Sequence, residues 1–459
     1  MTADQPSGEF VPTPARRTNP ITAFVKAGQV VPVLLFFVFT NGIVNATSGA
    51  QRPLLGAGGV AVVVVFMAVQ YVSWTRFTFW FDADGDLRLT SGVLQVSQRR
   101  VQLSRLQSVD VTQPLLARIF GLAEVRPEVA GAERRSLVIG YLTLDDAHAL
   151  RAELLARAAG VRTGEPGAAA PIAPENVLLS VPTAVVLESS LLSPAALVAF
   201  VVIVVMVVVA VVSGNPLATV PIFVAVVAPL AGAVAPFLTF FGFTVADSPD
   251  GLRLRFGLTS HQLQTVPPGR VQAVRIEAPV LWRHRGWVRV VVNVAGSPDA
   301  NEAKDHPRVL LPAGPIDVAH MLVQRVLPGV VIESMPLIPA PRRARWRAPL
   351  QWRRLATGSD ARAFVTRHGW LVPTWDAVPH ARVQSVRVSQ GPWQRRLGLS
   401  TVHLDSTPGP IKPMAAQRSA DEARVMAQEQ VEWGRRARLA APPQRWMRPP
   451  PPAVGGDAS

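Results

Sequence analysis

The chain has 459 residues, 49% hydrophobic and only 17% charged, with a formal net charge of +15. It has no cysteine, which excludes disulfides, iron–sulfur clusters, thiolate zinc sites and a cysteine nucleophile. Arginine supplies nearly all the positive charge, and the apolar content is concentrated in two blocks, so a membrane is a simpler partner than nucleic acid.

Residues 1–27 are polar and proline-bearing at their start, and are expected to form a disordered cytoplasmic N-terminus. No charged residue lies between Lys26 and Arg52, or between Arg52 and Arg76. Each stretch exceeds the roughly 20 residues a helix needs to cross the hydrocarbon layer. Residues 28–74 therefore read as a first hairpin, with spans at Gly28–Thr47 and Leu54–Trp74.

The second block, in residues 176–242, is expected to be an amphipathic lead-in and a second hairpin. Nothing from Ser189 to Ala246 is charged, and Ser213-Gly214-Asn215-Pro216 marks a turn. The spans are placed at Pro194–Val212 and Leu217–Phe241, with Pro221, Pro229 and Pro236 expected to bend the latter. Buried core helices of a soluble protein are the alternative, disfavoured by four such runs. Arg16, Arg17, Lys26 and Arg76 flank the first hairpin, so the positive-inside rule puts both termini and the large segments in the cytoplasm.

Outside these blocks the chain repeats itself. Gly92, Val101, Arg105, Gln107, Val109, Arg118 and Gly121 recur, with identical spacing, as Gly257, Val266, Arg270, Gln272, Val274, Arg283 and Gly286. They recur again as Gly369, Val378, Arg382, Gln384, Val386, Arg395 and Gly398. Strand-like alternation precedes each window and a helical pattern closes each copy, near Asp145–Ala159, Asp317–Leu327 and Ser419–Arg438. Ser419 and Glu422 have capping-box spacing. The copies occupy 75–159, 243–330 and 355–440, with linkers at 160–175 and 331–354 and a disordered tail at 441–459.

The shared glycines are expected in turns that need positive φ. Val109 and Val111, Val274 and Ile276, and Val386 and Val388 share one face of a strand, toward a core. Asp110, Arg275 and Arg387 lie between them and are expected to face water. Gln107, Gln272 and Gln384 have the parity of the valines and are expected inside or at the rim, bonded to loop backbone. Arg105, Arg270 and Arg382 either brace a loop or grip a phosphate or carboxylate. Arg118, Arg283 and Arg395 precede the second glycine and read as solvated.

The linker ending at Arg354 carries Arg342, Arg343, Arg345, Arg347, Arg353 and Arg354 with Trp346 and Trp352, and no acid. That composition suits an anionic headgroup layer as well as it suits a charged linker. Pro341 and Pro349 argue against one continuous helix.

Arg105-Leu106-Gln107-Ser108-Val109 and Arg382-Val383-Gln384-Ser385-Val386, the latter continuing to Gln394-Arg395-Arg396-Leu397-Gly398-Leu399, resemble the signature of the bacterial membrane-flanked, pleckstrin-homology-like domain. The multi-copy layout resembles the YdbT-like membrane proteins. The resemblance implies a partly open PH-like barrel of about seven strands, capped by a C-terminal helix, for each copy; with the four transmembrane helices in two hairpins read above, the expected fold is an α+β membrane protein with three such domains. It also implies a bacterial plasma-membrane location, no catalysis, and a shorter single-domain membrane relative as partner. The second copy departs from the pattern at Leu281-Trp282-Arg283-His284-Arg285 and in a polar loop, Asp299–His306.

No nucleotide loop, dinucleotide fingerprint, metalloprotease helix or Gly-x-Ser-x-Gly occurs, so no cofactor or metal is expected. Three functions compete. The first is a scaffold whose partners are the bilayer, other proteins, sister domains or further copies of itself. The second is an anionic-lipid or membrane-stress sensor. The third, a transporter or enzyme, lacks ionisable residues within the spans.

Overall fold

Two glycines shape every copy of the repeat. In the computed structural model the first has φ of 119° at Gly92, 115° at Gly257 and 84° at Gly369. The second has φ of 65° at Gly121, 65° at Gly286 and 62° at Gly398. A side chain disfavours this left-handed region, so both positions select glycine, as the sequence predicts. The first glycine turns the second strand into the third. The second ends a short helical turn and opens the fifth strand.

The structure describes residues 13–22, 24–25, 51–92, 95–129, 138–158, 176–213, 219–248, 251–267, 269–295, 308–407 and 409–440. In copy 1, β1 (Thr78–Phe81), β2 (Leu87–Ser91) and β3 (Ser97–Val101) form one antiparallel sheet. β4 (Leu106–Pro114), β5 (Leu122–Val129) and β6 (Ile139–Thr143) form a second run, and helix Leu144–Ala158 caps the copy. Before copy 2 comes β7 (Asn176–Ser180). Copy 2 then has β8 (Thr244–Ser248), β9 (Gly251–Phe256), β10 (Ser260–Val266), β11 (Val271–Glu277), β12 (Trp287–Val294) and β13 (Arg308–Pro315), with cap helix Ile316–Val326. Before copy 3 comes β14 (Ile338–Pro339). Copy 3 has β15 (Ala356–Ser359), β16 (Ala363–His368), β17 (Thr374–Pro379), β18 (Ser385–Ser389), β19 (Leu399–Asp405) and β20 (Met414–Ser419), with cap helix Ala420–Ala440.

Among the described residues each copy thus supplies six strands rather than about seven, and the segment before it supplies the extra edge. Arg16 and Phe79 exchange backbone hydrogen bonds of 2.8 and 3.0 Å beside β1, and Asn19 N–H donates to the Tyr141 carbonyl of β6 at 2.9 Å. β7 pairs with β8, and β14 pairs with β15. Arg418 of β20 donates from Nη1 to the carbonyls of Ile338 and Pro339 at 3.0 and 2.9 Å. The expectation of disorder across 1–27 is therefore corrected for residues 13–22. They satisfy the bare edge of β1 and bury Thr18 and Thr22, which a polar composition alone does not reveal.

Contacts divide the chain into two units. Unit 1 comprises residues 1–132, 136–172 and 259–264; unit 2 comprises 133–135, 173–258 and 265–459. Copy 1 has its own core, including Phe79, Phe81, Leu87, Val109, Val125 and Leu154. In unit 2 one core runs from Phe243, Val274 and Ile276 of copy 2 through Ala363, Val365 and Ala377 of copy 3. The Ser419 hydroxyl accepts the Glu422 N–H at 3.4 Å, the first half of the expected capping box. Buried His380 ties the last cap helix to copy 3, with Nδ1 3.0 Å from Gln430 Oε1 and Nε2 2.9 Å from the Asp360 carbonyl.

The apolar blocks are helical at Gln51–Thr75, Pro194–Ser213 and Thr219–Phe240, the last running through Pro229 and Pro236. Among the described residues no single helix is long and apolar enough to cross a membrane. The pair Thr183–Leu191 and Pro194–Val209, bent by 50°, meets the length and composition together. The span expected at Gly28–Thr47, the linker 160–175, the loop Asp299–His306 and the tail 441–459 lie outside the described residues.

The two glycine classes respond differently to a methyl group. Gly286→Ala meets no atom within 4 Å, so its effect is conformational, about 1–2 kcal/mol of lost stability. Gly369→Ala additionally drives its Cβ into the Val372 carbonyl oxygen and is expected to destabilise more. Urea unfolding of the two variants in detergent checks the order.

Candidate interaction site at the strand edges

The residues that sit between the core valines of the fourth strand do not all face water. In unit 2, β11 of copy 2 pairs antiparallel with β17 of copy 3: Val274↔Ala377, Arg275↔Asp376, Ile276↔Trp375 and Glu277↔Thr374. Arg275 sends Nε and Nη2 to the two oxygens of Asp376 at 2.6 and 2.8 Å, and Asp376 is fully buried. This is the bidentate geometry in which an arginine–carboxylate pair is strongest. Burial works against the Arg275 charge, but the Asp376 hydrogen bonds and charge, with Glu277 behind them, hold its guanidinium above the ordinary value. The ladder extends through Ala278 N–H to the Pro373 carbonyl at 2.9 Å and Val280 N–H to the Leu371 carbonyl at 3.0 Å.

Unit 1 holds the same junction. Ser260–Leu263 of β10 pairs antiparallel with Val111–Pro114 of β4, with Leu263 opposite Val111. In repeat spacing that is the same pair as Trp375 opposite Ile276. The register of strand four on strand three is therefore common to both junctions. The residues in the positions of Arg275 and Asp376 are here Asp110 and Gln264. Asp110 is buried, so the expectation that Asp110 and Arg275 face water is corrected. A neighbouring copy covers the face that an isolated domain would leave wet. Arg387, the third member, is exposed as expected.

Further bonds tie copy 2 to copy 3. Buried Asn293 donates from Nδ2 to the Ile411 carbonyl at 2.8 Å and accepts the Ile411 N–H at 3.1 Å. Arg382 donates from Nη2 to the Gly269 carbonyl at 2.6 Å. Burial lowers the Arg382 pKa, and the nearby Arg270 charge lowers it further; burial likewise lowers that of Arg270. Of the loop arginines, then, Arg382 braces a loop, Arg270 is half-buried, and Arg105 stands exposed on the turn Leu103–Arg105.

The glutamines mark a register shift. In copies 1 and 2 the ladder slips between Leu106 and Ser108 and between Val271 and Ala273, on either side of Gln107 and Gln272. Gln272 is buried and donates to the Arg270 carbonyl at 3.2 Å, as expected. Gln384 precedes β18 and is exposed, contrary to expectation, because its strand lacks a covering neighbour. The Gln107 backbone lies in β4. Arg118, Arg283 and Arg395 all lie exposed in the short turn before the second glycine. Burial lowers the Arg283 pKa, with Arg354 nearby adding to it.

The basic segment is ordered. Arg342–Trp346 forms a 3-10 turn, and Ala340, Ala344, Ala348 and Leu355 pack against Leu399 with Trp352 beside them. Arg342, Arg343, Arg345, Arg347 and Arg353 are left exposed with Trp346 and Leu350, while Arg354 is half-buried. Arg345 and Arg353 lie 5.2 and 5.5 Å over the rings of Trp346 and Trp352.

A cleft of about 260 Å³ lies where helices Thr183–Leu191, Pro194–Ser213 and Thr219–Phe240 meet copy 2, lined by Ser190, Ser193, Pro236, Phe240, Trp282 and Arg289 among others. Arg289 lies 5.3 Å over the Phe240 ring, and its Nε is buried without a hydrogen bond to a described residue. Burial lowers its pKa, partly offset by Glu277. No group of three metal-ligating side chains occurs among the described residues.

Sequence reasoning named the loop arginines and missed Asp376 and Arg289. The position between the core valines carried a legible signal, because it changes from Asp110 to Arg275 to Arg387 while its neighbours stay apolar. Asp376→Ala strands the Arg275 charge in a buried junction and is expected to destabilise unit 2 by about 3–5 kcal/mol. Arg275→Met with Asp376→Leu is expected to recover most of that loss, and thermal unfolding of both variants checks it.

The bacterial PH domain profile matches residues 31–158, 177–330 and 323–432. Over 132 residues the chain is 24% identical to the UPF0699 transmembrane protein YdbT of Bacillus subtilis (strain 168). That match covers 28% of this chain and 26% of the relative. No solved structure matches. The repeat, the paired three-stranded sheets with their cap helices, and three profile matches across most of the chain agree: it belongs to the bacterial PH domain family, in three consecutive copies.

Proposed function

We propose that this protein is a non-catalytic scaffold, anchored in the bacterial plasma membrane, whose PH domains bind protein partners or sister domains at the cytoplasmic face. The observation that carries this reading is the β11–β17 junction: these domains join through strand edges, with backbone bonds for affinity and one side-chain pair for selectivity. Such edges suit protein recognition and place no reactive group.

Membrane anchoring by four helices in two hairpins is supported by the relative's description as a transmembrane protein. It is also supported by the valine-rich helix Pro194–Ser213, whose Val211 and Val212 are 76% and 81% exposed. Hydrocarbon would cover these side chains at a gain of about 25 cal/mol per Å². The exposed arginines and Trp346 of the basic segment suit the anionic inner leaflet, at about 1 kcal/mol per basic residue near the surface. A second reading, anionic-lipid recognition, is favoured by Arg289: a half-sheltered cation in a cleft beside the apolar helices fits a lipid phosphate.

Native mass spectrometry of the tagged protein, taken from its own membrane in lipid nanodiscs, separates the two. The scaffold reading expects a second protein at fixed stoichiometry. A protein that travels alone and retains one anionic lipid class, lost on Arg289→Gln, replaces it with the lipid reading.

A further inference from the structure

Among the described residues two recurring pairings cover strand edges of the copies. The lead-in segments cover the first strands, at Arg16–Phe79, β7–β8 and β14–β15. Strand four of one copy pairs with strand three of the next, at β11–β17 and at Ser260–Leu263 on β4. These pairings leave over strand four of copy 3, which is β18, and strand three of copy 1, which is β3. Among the described residues neither has a partner on its outer edge.

Side-chain exposure says the same of β18. Val388 is 41% exposed, whereas its counterparts in the repeat, Ile276 and Val111, are 2% and 4% exposed. Those two are covered by Trp375 and Leu263 across their junctions. Arg387 takes the position of Arg275 but lacks an Asp376. Among the described residues it reaches Asp405 of the adjacent strand, at 3.7 Å, with both side chains largely exposed.

We infer that the outer edge of β18 docks an antiparallel strand from a different protein, one that sets an apolar or aromatic residue opposite Val388 and a carboxylate opposite Arg387. This deepens the scaffold reading and rests on it. The pattern is the one β17 presents to β11, where Trp375 faces Ile276 and Asp376 faces Arg275. A second copy of this chain is the wrong partner. In the shared register its free β3 would set Gln98 opposite Val388 and Arg99 opposite Arg387, offering no apolar contact and a like-charge pair. The two free edges repel each other, which keeps the scaffold from polymerising head to tail and reserves β18 for a strand of opposite charge.

The test builds the missing strand on a fold known to present it. Full-length chain in detergent carrying Gln98→Trp and Arg99→Asp presents the Trp-Asp pair on β3. Sedimentation should show it self-associating at least about tenfold more tightly than the parent chain. Adding Arg387→Asp should return it to the parent's behaviour. The register places Ser97 opposite Ser389, and the parent has no cysteine, so Ser97→Cys with Ser389→Cys should form an intermolecular disulfide only in the Gln98→Trp/Arg99→Asp background.

Three results overturn the inference. One is a Gln98→Trp/Arg99→Asp chain that keeps the parent's unfolding temperature yet stays monomeric. Another is association that survives Arg387→Asp. The third is a 97–389 disulfide in the otherwise unaltered chain, which would make a second copy the occupant. The scaffold reading fails separately. If the altered chain assembles but native membranes yield no partner, the edge stands and the scaffold falls. If a native partner is retained after Arg387→Asp, the scaffold stands and the edge falls.

Discussion

An open β-sheet edge is a row of unpaired amides and carbonyls, and the pairings between lead-in segments and copies, and between one copy and the next, cover such rows. A PH-type copy of two three-stranded sheets has edges it cannot close by itself. Lead-in segments take one kind, and neighbouring copies take another. This single constraint explains why residues 13–22 are ordered, why β7 and β14 exist, and why strand four of one copy seeks strand three of the next.

Backbone pairing is generic, so selectivity has to come from side chains. At the β11–β17 junction it comes from one bidentate ion pair, Arg275 with Asp376, placed among apolar neighbours. A buried pair of this kind adds little net stability over well-packed apolar residues, but a mismatched partner leaves a buried charge alone. The same position holds Asp110 in copy 1 and Arg387 in copy 3, so each junction is distinguished by charge while the strands around it stay alike.

The apolar helices and the junction strands occupy different parts of the chain. The apolar helices and the exposed arginine–tryptophan segment are the surfaces on which the proposed anchoring rests, and the strand edges are those on which the proposed recognition rests. The cleft around Arg289 lies where the helices meet copy 2.

The amino-acid sequence by itself determined the repeat, the turn glycines, the helical caps and the helical character of the apolar blocks. Each of these is local: a positive φ selects glycine at Gly92 and Gly286, and Ser419 caps the helix that begins beside it. Tertiary structure alone decided the fate of Asp110 and Arg275, which alternation assigns to water but which a neighbouring copy buries. It also separated the glutamines, since Gln272 is buried as parity predicts while Gln384, on a strand without a neighbouring copy, is exposed. Asp376 lies 101 residues from its arginine, and nothing in either local pattern encodes the meeting. Pairing between copies is a long-range choice made by edges and registers, which a sequence states only once the fold has brought them side by side.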